Sequence, residues 1–386
     1  MSGRDGSGLR DELLRSFPEL RFVPAPAWVV GGAIRDLLLG RPPADVDVAT
    51  PLGRAAAEAL AHGARGRIVP LGRERFPTWR VIVGDGACDI SDVIGNGIEE
   101  DLGRRDFTIN ALAVALHGTA ALLDPFRGEA DLEAKRVRMV SRQNLVDDPL
   151  RILKAIRIAA TLGFEIESAT LAACAAEAPR LADVAGERVG AELAMMVSGG
   201  RPASYGPLLE ATALDEILFG RRVPEWLGRL GGGDPALIWT AIFSGARREE
   251  LARSATRLRW PASVTSEVAM LMRSRLAVAE SGLDPSRLDP ILHDAGPRDA
   301  RRLIALAAAS GDEEIARALG HRLEARGDEL FSIEPLLDGD EIGAEAGIEP
   351  GPRIGLLKRE LLLEQIAGSV ATKEEALRWL RRRASS

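Results

Sequence analysis

The sequence predicts an α+β protein: a mixed α/β head followed by a long helical arm. Three observations carry that expectation. Between residue 28 and about 115, short runs rich in Val or Ile (WVV, VDVAT, RIVPL, WRVIV, CDISDV) are bounded by Gly, Pro or Asp, the pattern of strands. Beyond about residue 140 the apolar positions recur with a helical period instead. Aromatic residues make up only 4% of the 386-residue chain while Ala and Leu abound, which favours helix.

Taken in order, a polar start gives way to a short helix (DELLRSF) and a Pro-rich lead that ends at residue 27. Helical pieces such as AIRDLLLG and GRAAAEALAHG lie between the strand-like runs. LRILKAIRIAATLGF, SATLAACAAEAPRLADV and ERVGAELAMMV are helical in period. Further helices are expected over 233–246, 247–258, 263–280, 298–309, 311–326, 353–367 and 373–383. The expected regions are a head over 1–139, a neck over 140–200, a body over 201–310 and a tail over 311–386.

Composition excludes several classes. A net charge of −7 argues against a chain that coats nucleic acid everywhere, but a local basic groove needs only a patch. Cys88 and Cys174 form no CxxC and no disulfide framework, which fits a reducing cytoplasm. The N-terminus has no apolar stretch of signal-peptide length, and no long uncharged apolar run predicts a membrane span.

The stretch VVGGAIRDLLLGRPPADVDVAT, residues 29–50, concentrates chemistry. Side chains alternate along a strand, so Asp45 and Asp47 share one face while Val46 and Val48 point to the core. Two carboxylates on one face raise each other's proton affinity, and a divalent cation removes the conflict. Mg²⁺ is typically held by one or two carboxylates plus substrate phosphates. Gly31 and Gly32 would let a triphosphate approach the backbone, with Arg35 one turn into the following helix.

The spacing GGxxRDxxxGxxxxDxD resembles the signature of class II nucleotidyltransferases, the CCA-adding tRNA nucleotidyltransferases and bacterial poly(A) polymerases. The resemblance implies a polymerase β-like catalytic head, with Gly31 and Gly32 at the triphosphate and Asp45 and Asp47 on the catalytic metal. It also implies a third carboxylate on a neighbouring strand. In CDISDV that residue is Asp89, with Asp92 the alternative.

EEDLGRRDFTINALAV, residues 99–114, sets two arginines beside an acid, a set suited to phosphate and a ribose hydroxyl. It resembles the family's RRDFTxNA motif, which implies that Arg104, Asp106 and Asn110 hold the sugar and phosphates; Arg105 matches without a clear role. LLDPFRGEADLEAKRVRMV (122–140) also resembles the family, and its Asp124, Pro125, Gly128 and Asp131 read as turn chemistry.

In DDPLRILKAIRIAATLGF, residues 147–164, Asp147 reads as an N-cap and Pro149 suits a first turn. Arg151, Lys154 and Arg157 recur every three residues on one broad face. The stretch resembles the family's EDxxR motif, in which an acid and an arginine read the incoming base. The matching pair is Asp148 and Arg151; a carboxylate accepts from an amino group and a guanidinium donates to ring nitrogen and carbonyl oxygen. Lys154 and Arg157 match triphosphate-contacting positions, and Lys154 stands where arginine is usual. Glu187 and Arg188 of ERVGAEL resemble a supporting helix of the site.

The tail over 335–383 resembles the region that reaches toward the tRNA elbow, and the chain ends in a short RRRASS rather than a long basic tail. Transfer of CTP and ATP to the tRNA 3′ end is therefore expected, adding CCA or part of it and releasing pyrophosphate. Addition of CC alone is the alternative, with poly(A) polymerase activity behind it. Only Ile94, Gly95 and Asn96 intervene between CDISDV and GIEEDLGRRD, where many CCA-adding members carry a longer loop. His293-Asp294 is the only His-Asp dipeptide and lacks the further ligands a phosphohydrolase metal site needs. A catalytically dead RNA-binding protein would have lost the acid pair. A nucleotide-cyclising or antibiotic-modifying transferase would lack the base-reading helix and the tail. Trp226, Trp239 and Trp260 are expected to fill cores.

Overall fold

The computed structural model describes residues 6–73 and 76–384 and divides into two compact units, Met1–Arg222 and Val223–Ser386. In the first, helix α1 (Gly6–Ser16) buries Leu9 and Leu13. Strand β1 (Trp28–Val30) runs through a glycine turn into α2 (Gly32–Leu38), followed by β2 (Val46–Thr50) and α3 (Gly53–Ala64). Three strands come next: β3 (Arg67–Arg73), β4 (Phe76–Val83) and β5 (Gly86–Asp92). Helix α4 (Ile98–Gly103), β6 (Ala113–Ala115) and β7 (Leu122–Leu123) complete the head.

These strands form one seven-stranded sheet in the order β3-β4-β5-β2-β1-β6-β7. Pairing is antiparallel throughout except between β2 and β5, which run parallel. Val46 and Val48 are buried and Asp47 is exposed, as a strand covered on one face requires. On the face that Asp47 shares, Val30, Ala49 and Ala113 join Leu102 and Ala111 in one apolar cluster.

The same unit continues through α5 (Gly128–Glu133), β8 (Arg136–Val137), α6 (Arg142–Asp147) and α7 (Leu150–Leu162). Beyond them lie β9 (Glu165–Ile166), which pairs in parallel with β8, then α8 (Ser168–Glu177) and α9 (Gly186–Gly199). Helices α10 (Pro202–Ala211) and α11 (Leu214–Phe219) close the unit. An apolar face of Ile152, Leu153, Ile156 and Ala159 seats α7, and Gly163 ends it with a left-handed φ of 71°.

The N-cap expected at Asp147 is not there: Asp147 is the last residue of α6. Ser141 caps that earlier helix, its hydroxyl accepting from the Asn144 N–H at 3.3 Å. The residue before a proline is pushed out of the helical region. Asp148 is accordingly extended (φ −139°, ψ 92°), and α7 starts behind Pro149 without a side-chain cap.

The second unit is helical among its described residues: α12 (Pro235–Ile242), α13 (Arg248–Arg257), α14 (Ala262–Glu280), α15 (Pro285–Ser310), α16 (Glu313–Ser332), α17 (Gly339–Ala346), α18 (Pro352–Ile366) and α19 (Lys373–Ala384). Helix α15 starts well before residue 298; Gly296 (φ 74°) breaks it ahead of Pro297, and the expected segment is its second half. His293 lies just before that break and contacts the Ile333 carbonyl. Leu271, Leu292, Leu319 and Leu330 belong to one core and Leu337, Ile342, Leu361 and Leu380 to another. Trp239 is buried with its ring 4.4 Å from that of Trp260, both acting as packing, while the Arg275 guanidinium lies over the Trp226 ring. No helix among the described residues is long and apolar enough to cross a membrane.

Candidate active site

The face of the sheet that bears Asp47 carries a row of charge. In register, Asp47 on β2 stands beside Asp89 on β5, and Asp89 beside Arg80 on β4. Asp45 lies just before the strand, is exposed, and is close enough for its charge to act on Asp47. Asp47 is open to solvent on one side and crowded by protein on the others. That partial desolvation, with the charges of Asp45 and Asp89, pushes its pKa up to about 6 against the opposing pull of Arg105 and Lys154. A group of like-charged carboxylates strained in this way fits a divalent cation. Among the described residues no three acidic, His or Cys side chains converge as a ready-made metal site. An ion seated on Asp45 and Asp47 would draw further ligands from phosphate and water.

The glycine turn borders this row. Gly31 has φ 80° and ψ −135°, open to glycine and strained for any other residue. A Cβ there would lie 3.1 Å from Arg105 Nη1 and 3.5 Å from Asp47 Oδ2. Arg105 is therefore the arginine of the RRD motif that meets the turn, whereas Arg104 is exposed at the end of α4. Arg105 Nη2 reaches Asp101 at 3.3 Å, and its buried Nε has no protein partner. The sequence could not separate two adjacent arginines; the helix end decides which one turns inward.

A chain of polar contacts links the motifs. Arg35 donates to Asn110 Oδ1 (2.8 Å), Asn110 to Asp106 Oδ1 (3.0 Å), and Lys154 Nζ lies 2.6 Å from Asp106 Oδ2. Burial alone would raise the pKa of Asp106. The Lys154 charge and the hydrogen bonds from Lys154 and Asn110 overcome it and hold the acid well below the usual carboxylate range. Lys154, matched by sequence to a phosphate-contacting position, is thus paired with Asp106, and Arg157 is paired with Glu192 of α9.

Asp148 and Arg151, matched by sequence to the EDxxR motif, are also held. Asp148 accepts from Arg188 of α9 at 2.9 Å, and Arg151 Nη1 donates to the Asn144 carbonyl at 3.1 Å. Asn144, buried in α6, donates from Nδ2 to the carbonyls of Gly103 and Arg105. Asn144 ties the RRD segment to the start of α7, a role with no signal in the sequence beyond a polar residue inside a helix. Asp124 accepts from the N–H groups of Gly128 and Glu129, the turn chemistry expected of it.

Between β5 and α4 the connection is tied down. The Ile94 N–H donates to Asp101 Oδ1, and both Asn96 nitrogens donate to Glu100 Oε2.

Residues 27–93 and 85–138 match the Poly A polymerase head domain. Residues 163–226 match the family described as "Probable RNA and SrmB- binding site of polymerase A". Across 92% of this chain and 91% of the other, the sequence is 34% identical to the CC-adding tRNA nucleotidyltransferase of Geobacter sulfurreducens. The chain belongs to the class II tRNA nucleotidyltransferase, or CCA-adding enzyme, family. An A-adding tRNA nucleotidyltransferase of Deinococcus radiodurans is 30% identical over 96% of this chain and 98% of its own. The Thermotoga maritima CCA-adding enzyme, solved with tRNA, shares the fold with a TM-score of 0.73 over 98% of both chains at 23% identity. As a class II tRNA nucleotidyltransferase the chain is an enzyme, and members of such a family work with a divalent metal. The acid row, the glycine turn and the RRD segment all fall inside the matched head.

Proposed function

We propose that this enzyme adds cytidines from CTP to the 3′ end of tRNA without a nucleic-acid template, stopping after CC. The observation that carries CC addition is the tied-down connection over Val93–Gly97. Three residues between the two motifs, fastened to Asp101 and Glu100, leave no free loop to reset the site for ATP. Relatives from Geobacter sulfurreducens and Synechocystis that align over more than nine-tenths of this chain carry the CC-adding name, which supports the reading.

The reaction is attack of the tRNA 3′-hydroxyl on the CTP α-phosphate, forming a phosphodiester and releasing pyrophosphate. Asp45 and Asp47 would hold Mg²⁺, which when bound would neutralise phosphate charge and polarise the attacking hydroxyl. The chain's own groups do the positioning. Gly31 and Gly32 leave room for the triphosphate, Arg105 faces it, and Arg35, Asn110 and Asp106 frame the ribose side. Asp148 and Arg151 read the Watson–Crick edge of the base, each pre-set by its partner on α9 or α6. Asp89 is the third acid of the row. The tail over 311–386 reaches the tRNA elbow, and the enzyme works in the cytoplasm, where Cys88 and Cys174 stay as free thiols.

The test is incubation of 3′-trimmed tRNA with CTP alone, ATP alone, and both, read by product length on a gel. Two added nucleotides with CTP, unchanged by ATP, are expected. A third nucleotide with both triphosphates would establish full CCA addition. Extension of CC-ended tRNA by ATP alone, with none by CTP, would make it an A-adding enzyme, and a ladder of adenosines a poly(A) polymerase.

A further inference from the structure

Asp89 does not face the acid row as a bare carboxylate. Arg80, its cross-strand neighbour on β4, grips it with a fork: Nε to Oδ1 at 2.8 Å and Nη2 to Oδ2 at 2.7 Å. Such bidentate pairs fix a carboxylate's orientation as well as adding energy. The fork is half open to water, Arg80 being 44% exposed and Asp89 22%, so it is reachable from the face where substrate would arrive. The guanidinium also feels Asp45 and Asp47, and its own pKa is raised, first by the hydrogen bonds to Asp89. The row of acids therefore carries a built-in cation at its β4 end, in addition to Arg105 and Lys154, which act on Asp47.

We infer that Arg80 is a positioning residue that serves as a resident counter-cation at the β4 end of the acid row, holding Asp89 and lowering the affinity of the row for a free divalent ion. The inference rests on Asp45 and Asp47 being the metal seat. Its physical basis is simple. A divalent ion entering beside Asp47 meets the positive charge of Arg80 across Asp89, two strands away, and one acid of the row is already engaged. Removing the guanidinium frees Asp89 and removes the repulsion. A cross-strand pair that only stabilised the sheet would not alter ion binding in this direction.

The experiment is titration of the full-length protein with Mn²⁺ in the absence of nucleotide and tRNA, with free Mn²⁺ read by electron paramagnetic resonance. Arg80→Leu is expected to bind Mn²⁺ roughly three- to ten-fold more tightly than the parent protein, the size of losing one nearby unit charge at a solvated site. Arg80→Lys keeps the charge without the fork and is expected to stay within about twofold of the parent. Arg80→Gln replaces the leucine variant if circular dichroism shows that the latter does not fold. Unchanged or weaker Mn²⁺ binding by the neutral variant would overturn the inference, as would a lysine variant that tightens like the neutral one. Asp47→Asn separates this from the underlying reading. Loss of binding there with no change on removing Arg80 sinks only the role of Arg80, whereas undiminished binding there sinks the metal seat itself.

Discussion

Truncation of Asp106 tests how the site is held together. Its carboxylate is only 6% exposed and has three partners: Lys154 Nζ, Asn110 Nδ2 and, at 2.8 Å, its neighbour's Phe107 N–H. In Asp106→Ala the Phe107 N–H, at a fully buried residue, loses its acceptor, which costs about 1–3 kcal/mol. The Lys154 partner is 38% exposed and can turn to water, so loss of that ion pair adds no more than about 1 kcal/mol. Together these give about 3 kcal/mol, a fall of roughly 6–12 °C in the melting temperature of a unit of this size. Differential scanning calorimetry measures it directly. Asp106→Asn keeps an acceptor for Phe107 and is expected to lose less than half as much. The sign of the pH dependence follows from the depressed pKa. Stability from the charged acid is present above the ordinary carboxylate pKa and lost as pH falls below it, so the parent's advantage over Asp106→Asn shrinks in acid. A melting temperature for Asp106→Ala within about 2 °C of the parent's at neutral pH would refute the account of the network.

Further outcomes are expected elsewhere in the site. Gly31→Ala forces a side chain into φ 80° beside Arg105, costing about 1–3 kcal/mol and raising the KM for CTP; thermal unfolding and steady-state kinetics check both. With metal chelated, the raised pKa of Asp47 makes its contribution to stability greatest below the ordinary carboxylate pKa, near 4, and lost as pH rises through about 6. Melting curves in EDTA across that window should show the decline, and Asp47→Asn should flatten it. Arg151→Ala should weaken discrimination of CTP from UTP as well as slow addition, measured as the ratio of kcat/KM values; an unchanged ratio would remove Arg151 from base reading.

Much of this was legible in the sequence because local rules decided it. Alternation left Asp47 open while Val46 and Val48 on either side of it found the core. The glycine turn declared itself by residue type. What stayed hidden depended on distant partners. Nothing local says that Arg105 rather than Arg104 turns toward Gly31, or that Lys154 meets Asp106 and Arg157 meets Glu192. Those pairings join segments dozens of residues apart. Asp147 misled because a serine six residues earlier had already started a helix and the proline after Asp148 ended it. Helix α10 carries Pro207 inside it and so showed no clean period, and Pro290 hid the first half of α15.

The contact chain from Arg35 through Asn110 and Asp106 to Lys154 has a consequence for engineering. The links come from three different motifs, so the motifs are not interchangeable cassettes. A chimaera that takes residues 140–200 from a relative with arginine at position 154 would present a wider, planar group to an Asp106 pocket shaped around an ammonium. Swapping specificity between members should therefore succeed more often when the RRD segment and α7 are transplanted as a matched pair.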